Sequence, residues 1–318
     1  MNDLTELRDF GRDLDQEILG LSPELRHRML RGFAEPPGRT RQRMPRFRIG
    51  RRVAITGGLA VVSAAALLIA PALSWWGGSP AVRAQAAQIL ERAALTARHQ
   101  PVLTARPSQF VFVKTLEASA GISVSPSGSA NVTILRYLRE IWLSTSGTRR
   151  GLLREQPRSS PLPGHPTGAW RTIILTGRQR PAYLSGLPTS ADAMLSYLYR
   201  NSQGQNPPDQ QAFITAGDLI RESYLHPAAL AAVFEAVARI PGVGVVHGAV
   251  TANGTRGIAV ERTFQGNSYQ LIFDPETYAF IGERQVVVGT QTRLKVGTVM
   301  DSTAVLSVAI VDHVGQQP

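Results

Sequence analysis

One stretch of the sequence, Val53–Trp76, carries no charged residue over 24 positions. A membrane-spanning helix needs about 20 apolar residues to cross about 30 Å of hydrocarbon. At about 1.5 Å of rise per residue, this stretch reaches about 36 Å. Gly57, Gly58 and Pro71 interrupt the run, but membrane helices tolerate both residue types. The stretch therefore predicts a single transmembrane helix over residues 53–76.

The charges on the two sides of this stretch predict its direction. Seven arginines lie between residues 39 and 52, whereas Arg83 alone is charged between Trp76 and Glu91. Because excess Arg and Lys stay in the cytoplasm, the N-terminus is expected inside and the C-terminal part outside. Arginines near the surface attract anionic membrane lipid, and tryptophans favour the headgroup layer. The residues expected to anchor the span are Arg48, Arg51, Arg52, Trp75 and Trp76.

Two other interpretations of the stretch stay open. A buried core helix of this length would lack a charged face, which is uncommon in soluble proteins. A cleaved signal peptide is suggested by the small-x-small triplet Ala84-Gln85-Ala86, which resembles a cleavage site. However, the apolar run is longer than that of a usual signal, and it begins only after 52 other residues. The membrane span is therefore the favoured interpretation.

Composition divides the chain and excludes several kinds of chemistry. The sequence has no cysteine, which excludes disulfides, thiolate catalysis and cysteine-bound zinc. The net charge of +11 includes the arginine run beside the span. Such a run can bind nucleic acid, but a topology signal and lipid contact explain it more simply, so no nucleic-acid partner is expected. Four segments follow from this division: a cytoplasmic amphipathic helical segment over 1–35, an Arg-rich juxtamembrane linker over 36–52, the span over 53–76, and an extracytoplasmic domain over 77–318.

The first residues of the chain carry an apolar stripe at helical spacing. Charged residues fill the other faces, and a second short stripe begins after Ser22-Pro23. Two short helices bury little surface alone, so we expect the first stripe to bind a cytoplasmic helical partner. Packing of the two helices on each other, or on the membrane surface, is the alternative. The expected contact residues are Leu4, Leu7, Phe10, Leu14 and Ile18.

The extracytoplasmic segment begins with a helix and a group of strands. Ser79-Pro80 predicts a helix start, followed by an apolar stripe that ends before Pro101. Strands are expected over 109–117 and 131–144, in TRRGLLRE and in WRTIILTG, with loops over 119–131 and 156–169. Residues 131–144 also fit a helical face, but the following turn favours a hairpin. The predicted stripe of the first helix comprises Ala86, Ile89, Leu90, Ala93, Ala94 and Ala97.

Helical patterns and then strands fill the rest of the segment. Helices are expected after a cap at Thr189 or Ser190, over DQQAFITAGDLIRESYL as far as Tyr224, and after Pro227. Five strands follow, separated by turn signals such as Asn253-Gly254 and Gly266-Asn267. Consecutive strands with short connections predict an antiparallel meander. The fold class is therefore α+β: short cytoplasmic helices, one transmembrane helix, and an extracytoplasmic antiparallel sheet with packed helices.

Several segments resemble a family of actinobacterial single-pass membrane proteins. They are AGDLIRESYLHPAALAAVFEAVARIPGVGVV, IFDPETYAFIGERQVVV, TAVLSVAIVDHVGQQP and the opening DLTELRDFGRDL. Members of this largely uncharacterised family are often encoded beside extracytoplasmic-function sigma factors, so the resemblance implies a regulatory role and a sigma factor as a partner. The family has Gly after DPET where this chain has Tyr278, so this turn is expected to differ. By fold-level analogy, the domain also resembles LolA- or RseB-like sheets curved around helices.

The sequence shows no catalytic motif. Gly242-x-Gly244-x-x-x-Gly248 has the wrong spacing for a dinucleotide site and precedes a strand rather than a helix. G-x-S-x-G, S-x-x-K and H-E-x-x-H are absent, and the six histidines are scattered. We therefore expect a protein that is not an enzyme and has no cofactor or metal.

Two groups of residues have two interpretations each, and a third pair has one. An acidic group on a predicted hairpin is a metal site or a solvated turn, with the turn favoured; its members are Asp274, Glu276 and Glu283. Four aromatic residues line an apolar pocket for a lipid-like ligand or belong to an ordinary core, with the core favoured; they are Phe110, Phe112, Trp142 and Trp170. Asp312 and His313 are expected on one strand with their side chains on opposite faces.

Together these features predict a membrane-anchored regulatory or sensory protein. Its inner helices would bind a cytoplasmic partner such as a sigma factor, and its outer domain would sense the envelope. The alternative is an envelope binding module that holds a lipid-like or cell-wall ligand.

The predicted topology can be tested with reporters fused after Pro318. An alkaline phosphatase fusion should be active and remain in the membrane fraction, because the enzyme folds only outside the cytoplasm. Deleting residues 53–76 should abolish that activity. An active β-galactosidase fusion would contradict the topology, whereas a shortened soluble product would support the signal-peptide interpretation.

Overall fold

The computed structural model describes residues 79–124, 130–159, 167–176, 180–202, 204–290 and 294–318. The chain divides into two units, Met1–Ala72 and Leu73–Pro318, and the described residues all belong to the second. None of the described helices is long and apolar enough to cross a membrane. The predicted span, the contact residues Leu4, Leu7, Phe10, Leu14 and Ile18, and the anchoring residues Arg48, Arg51, Arg52, Trp75 and Trp76 all lie outside the described residues.

A nine-stranded antiparallel sheet forms the framework of the described domain. Its strand order is β4-β3-β2-β1-β11-β10-β9-β8-β7. Two meanders, β1–β4 and β7–β11, join where β1 pairs with β11. The strands are β1 (Phe110–Val124), β2 (Ala130–Ser144), β3 (Gly151–Ser159), β4 (Arg171–Leu175), β7 (Val243–Val250), β8 (Arg256–Phe264), β9 (Asn267–Phe273), β10 (Phe280–Val287) and β11 (Val299–Val311). The predicted α+β class and the second meander are thereby confirmed.

Four helices and a small second sheet complete the described domain. The strands β5 (Tyr183–Leu184) and β6 (Tyr224–Leu225) pair in parallel. The helices are α1 (Pro80–Arg98), α2 (Ala191–Asn201), α3 (Pro208–Glu222) and α4 (Pro227–Val237). Pro80, Pro208 and Pro227 each stand at the start of a helix, where a missing backbone N–H costs nothing.

Helix α1 has the start and the buried face that its sequence predicts. The Oγ of Ser79 accepts a hydrogen bond from the backbone N of Val82 at 3.4 Å. The buried residues of the helix are the six of the predicted stripe, from Ala86 to Ala97. The small side chains on this face let α1 pack closely against α4 and β7.

The helices cover one face of the sheet. The largest core cluster joins apolar side chains of all four helices to the alternate residues Val243, Val260, Leu271 and Phe273 of β7, β8 and β9. These four residues share one sheet face, because antiparallel pairing aligns them and side chains alternate along a strand. The opposite face carries smaller clusters, including Ala249, Ala259 and Ile272.

The β1–β2 hairpin is longer than predicted. The loop predicted over 119–131 is wrong at both ends, because β1 continues to Val124 and β2 starts at Ala130. Residues 125–129 lie outside the described residues. The segment GISV alternates small and β-branched residues, and Ile122 pairs with Val132 across the hairpin. The strand assignment for 131–144 is confirmed. β3 likewise extends to Ser159, into the segment predicted as a Pro-rich loop.

Tyr224 was predicted to be helical, and this prediction was wrong. Helix α3 ends at Glu222, and Tyr224 enters β6, where it pairs with Tyr183. The two phenol rings stack with centroids 5.2 Å apart. The hydroxyl of Tyr224 also accepts a hydrogen bond from the backbone N of Leu103 at 2.7 Å. These long-range contacts override the local helical spacing.

Two leucines of α1 test the assigned packing. Leu90 is 0% exposed, whereas Leu95 on the same helix is 50% exposed. Leu90→Ala should lower the free energy of unfolding by about 2–5 kcal/mol, because it leaves a cavity under α4. Leu95→Ala should change it by no more than about 0.5 kcal/mol. Urea unfolding of residues 77–318 measures both values, and equal losses would contradict the assigned face.

Candidate functional site

A cleft of about 140 Å³ lies between α1 and one end of the sheet. One wall is the polar side of α1, and the other is formed by β7, β8 and the loop between β9 and β10. Two apolar side chains and five hydrogen-bonding side chains line it. The lining residues are Gln85, Gln88, Ile89, Arg92, His247, Ile258 and Tyr278.

Helix α1 presents three of these groups in register. Gln85, Gln88 and Arg92 are three and four residues apart, so they lie along one side of the helix. All three are exposed, whereas Ile89 between them is 6% exposed and belongs to the core. The same helix therefore supplies both a wall of the cleft and a part of the domain core.

His247 reaches the cleft from a bulge in β7. The pairing of β7 with β8 shifts register between His247 and Ala249. Gly248, with φ +69°, occupies the extra position, where glycine avoids the steric cost of a left-handed backbone. The side-chain amide nitrogen of Gln85 lies 3.0 Å from Nε2 of His247, and when that amide donates, the histidine proton is on Nδ1.

The loop between β9 and β10 places Tyr278. The Oδ1 of Asp274 accepts hydrogen bonds from the backbone N of Glu276 at 3.1 Å and of Thr277 at 2.8 Å. The bonds from Thr277 lower the pKa of the Asp274 carboxyl below its ordinary value. Tyr278 then adopts φ +59°, a conformation that a bulky residue seldom takes. The loop thus has, at Tyr278, a backbone conformation suited to glycine, although this residue carries a phenol side chain.

Contacts with α1 hold this unusual residue. The Nη1 of Arg92 donates a hydrogen bond to the Tyr278 hydroxyl at 2.5 Å, and its Cζ lies 5.1 Å from the ring centroid. The Oγ1 of Thr96 donates to the carbonyl oxygen of Thr277 at 2.6 Å. Backbone strain of about 1–3 kcal/mol persists only where surrounding contacts maintain it. The Arg92–Tyr278 contact therefore marks the cleft as a candidate binding site.

The chemistry of the cleft is that of binding by hydrogen bonds. A guanidinium, an imidazole, two amides and a phenol surround an apolar floor of Ile89 and Ile258. Such a set can orient a small polar or anionic group. The volume suits one terminal group of a larger molecule rather than a whole drug-sized ligand.

The predicted acidic group does not come together as a metal site. Asp274 caps its own loop, Glu276 is exposed, and Glu283 lies beneath α3. The Oε2 of Glu283 accepts a hydrogen bond from Nη1 of Arg221 at 2.5 Å. No group of three or more metal-ligating side chains occurs within the part of the chain that the structure describes.

Several other residues have structural roles. His226 caps α4, where its Nδ1 accepts a hydrogen bond from the backbone N of Ala228 at 3.4 Å. Gly242, with φ +80°, allows the turn between α4 and β7. Phe110, Phe112 and Trp142 are closed in a core cluster with Val311. Trp170 is instead half-buried and lies under the guanidinium of Arg154, at 4.4 Å.

Asp312 and His313 were placed on a strand by sequence, and this was wrong. β11 ends at Val311, and the chain then bends back. The backbone N atoms of Asp312 and His313 both donate to Oε1 of Gln316, at 3.0 and 3.1 Å. Both side chains therefore line a common cleft instead of opposite sheet faces.

Sequence reasoning missed the α1 wall of the candidate site. The spacing of Gln85, Gln88 and Arg92 was visible, but helices often carry polar residues on an exposed side. Tyr278 was distinguished in the sequence only by its position, where the resembled family has glycine. The bulge that aims His247 depends on pairing between β7 and β8, which the sequence did not specify.

Comparison with known proteins assigns no family. No protein-family model matches the sequence, and no curated protein matches it. Among solved structures, the crystal structure of MucB aligns with 12% sequence identity and a TM-score of 0.26, covering 74% of this chain and 60% of MucB. This chain thus spans less than two thirds of MucB.

A double-mutant cycle tests the contact that holds Tyr278. Arg92→Ala and Tyr278→Phe should show an interaction energy of about 0.5–1 kcal/mol in urea unfolding, because both remove the same hydrogen bond. Arg83 is exposed and more than two turns earlier in α1, so Arg83→Ala with Tyr278→Phe should be additive. Additivity of the Arg92 pair would contradict the contact.

Proposed function

We propose that this chain is a single-pass membrane-anchored regulatory protein whose outer domain senses an envelope ligand. Its first residues, 1–35, would bind a cytoplasmic sigma factor, and residues 53–76 would form the span. The charge-free stretch and its arginine-rich flank support the anchor. The resemblance to an actinobacterial family associated with sigma factors supports the partner.

The observation that carries the sensory part is the dual role of α1. Three of its side chains, Gln85, Gln88 and Arg92, line the cleft, while six others lie in the core. In sequence, only Gly77 and Gly78 separate the predicted span from the Ser79 cap. A ligand held in the cleft would therefore contact the helix that directly follows the span.

The expected ligand is a small polar or anionic terminal group of an envelope component. Arg92 and His247 favour a carboxylate or a hydroxyl-rich group, and the ring of Tyr278 favours a sugar face or another flat surface. Some ligands would bind only the arrangement of α1 in which Arg92 contacts Tyr278. Such a ligand would raise the population of that arrangement, because it binds it more tightly than any other.

The alternative proposal is an envelope binding module whose inner segment serves only topology. The cleft supports binding in both proposals. The lipid-like version of this alternative relied on a pocket lined by Phe110, Phe112, Trp142 and Trp170. The first three of these residues instead pack into a closed cluster, which leaves a polar ligand as the favoured class.

Co-purification tests the partner. The full chain, in neutral detergent, should retain an extracytoplasmic-function sigma factor of its own genome when the two are co-expressed. Leu7→Asp with Leu14→Asp should abolish retention, because a charge in the apolar stripe opposes burial against a partner. The matched control, Thr5→Asp with Gln16→Asp, places the same charges on the opposite side of the helix and should retain the partner.

Two results would count against the regulatory proposal. One is the absence of retention with every sigma factor of that genome, and the other is equal retention by both double variants. In either case, ligand binding that still depends on Arg92 would favour the binding-module alternative.

A further inference from the structure

We propose that a second cleft, lined by Arg106, Arg149 and His313, binds a phosphate group of a phosphate ester. This cleft lies beyond the ends of three inner strands of the sheet. It is found where β1 begins, where β2 turns towards β3, and where β11 ends. Its volume is about 390 Å³, and Ser108 and Asp312 complete its lining. The proposal is separate from the α1 cleft and does not depend on the regulatory function.

Arg149 is positioned before any ligand arrives. Its Nη1 donates to the carbonyl oxygen of Ser108 at 2.6 Å, and its Cζ lies 5.2 Å from the ring centroid of Phe110. Its backbone N donates to Oγ of Ser144 at 3.3 Å. Four guanidinium N–H donors remain besides the one bound to Ser108. A guanidinium held in this way loses less conformational entropy when it binds an anion.

The two walls of the cleft are tied together. The Oγ1 of Thr145 donates to the carbonyl oxygens of Arg106 and Gln109, at 2.8 and 2.9 Å. The Oγ of Ser146 donates to the carbonyl oxygen of Pro107 at 2.9 Å. These bonds fix the segment before β1 against the turn after β2, so Arg106 and Arg149 both line one opening.

Asp312 orients Arg106 without neutralising the cleft. The Oδ1 of Asp312 accepts hydrogen bonds from Nη2 of Arg106 at 2.8 Å and from Nε2 of Gln109 at 2.7 Å. The hydrogen bond from Gln109, and to a lesser degree the one from Arg106, lower the pKa of the Asp312 carboxyl below its ordinary value. The lining therefore carries two guanidinium charges against one carboxylate, with the His313 imidazole beside them.

A tetrahedral oxyanion fits this set of donors. Guanidinium groups donate in planar forks that match phosphate oxygens, and forks from two directions can share one phosphate. A hydroxyl from Ser108 and an imidazole N–H from His313 add donors of the kind that contact phosphate. The cleft opens to solvent, so the rest of an ester can extend outwards. The phosphate can belong to a phospholipid headgroup or to a soluble ester.

Calorimetry on the full chain in neutral detergent tests the site. Inorganic phosphate, titrated at low ionic strength, should bind with a dissociation constant of about 1 mM or tighter. Arg106→Ala with Arg149→Ala should weaken binding at least about tenfold, because two charge-assisted contacts are lost. Arg158→Ala removes one exposed arginine on β3 and should leave the affinity unchanged.

A conservative variant separates binding from folding. Arg149→Lys keeps the charge but loses the planar fork, so it should weaken phosphate binding while lowering the melting temperature by no more than about 2–4 °C. Unchanged affinity in Arg149→Lys and in the double variant, or an equal loss in Arg158→Ala, would overturn the proposal.

Two ligands distinguish the source of the phosphate. Mixed micelles containing phosphatidylglycerol should suppress the phosphate heat if the site takes a lipid headgroup. Glycerol 3-phosphate should bind more tightly than the lipid if the site takes a soluble monoester. Absence of binding by inorganic phosphate, the ester and the lipid alike would refute the site.

Discussion

The antiparallel pairing of β1 with β11 is the interaction on which the rest of the domain depends. It joins a meander near the start of the described chain to one at its end, with Phe110 opposite Val311 and Ser119 opposite Asp301. Without it, each meander would present an edge strand with unpaired backbone groups. The pairing also brings the segment before β1, the turn after β2 and the end of β11 together at one end of these strands, which creates the arginine-lined cleft.

Buried charges fix the position of helix α3 on this sheet. Arg139 is 1% exposed, and its guanidinium lies 3.4 Å from a carboxylate oxygen of Glu117 on β1 and 3.4 Å from one of Glu222 on α3. Burying such charges requires large desolvation, so the group adds little net stability but opposes other arrangements of α3. Arg221 and Glu283 make a second tie between α3 and β10. These ion pairs add directional contacts to the apolar packing of α3.

Helix α1 connects the elements that the proposed function requires. It follows the predicted span in sequence, buries one side against α4 and β7, and lines the cleft with the other. The strained backbone of Tyr278 is retained at its contact with Arg92. Glycine at this position would avoid the strain. The proposed binding site therefore gives a reason for a tyrosine here that stability alone does not give.

Local sequence determined most of the secondary structure, since capping, periodicity and turn residues act within a few positions. Ser79-Pro80 and the stripe from Ala86 to Ala97 defined α1, and Asn253-Gly254 marked the β7–β8 turn. The tertiary structure alone decided the pairing of β1 with β11, the entry of Tyr224 into β6, and the convergence of Arg92, His247 and Tyr278. These features depend on contacts between residues more than 40 positions apart. Their formation is set by which distant surfaces can be buried and paired together, and no local pattern encodes that choice.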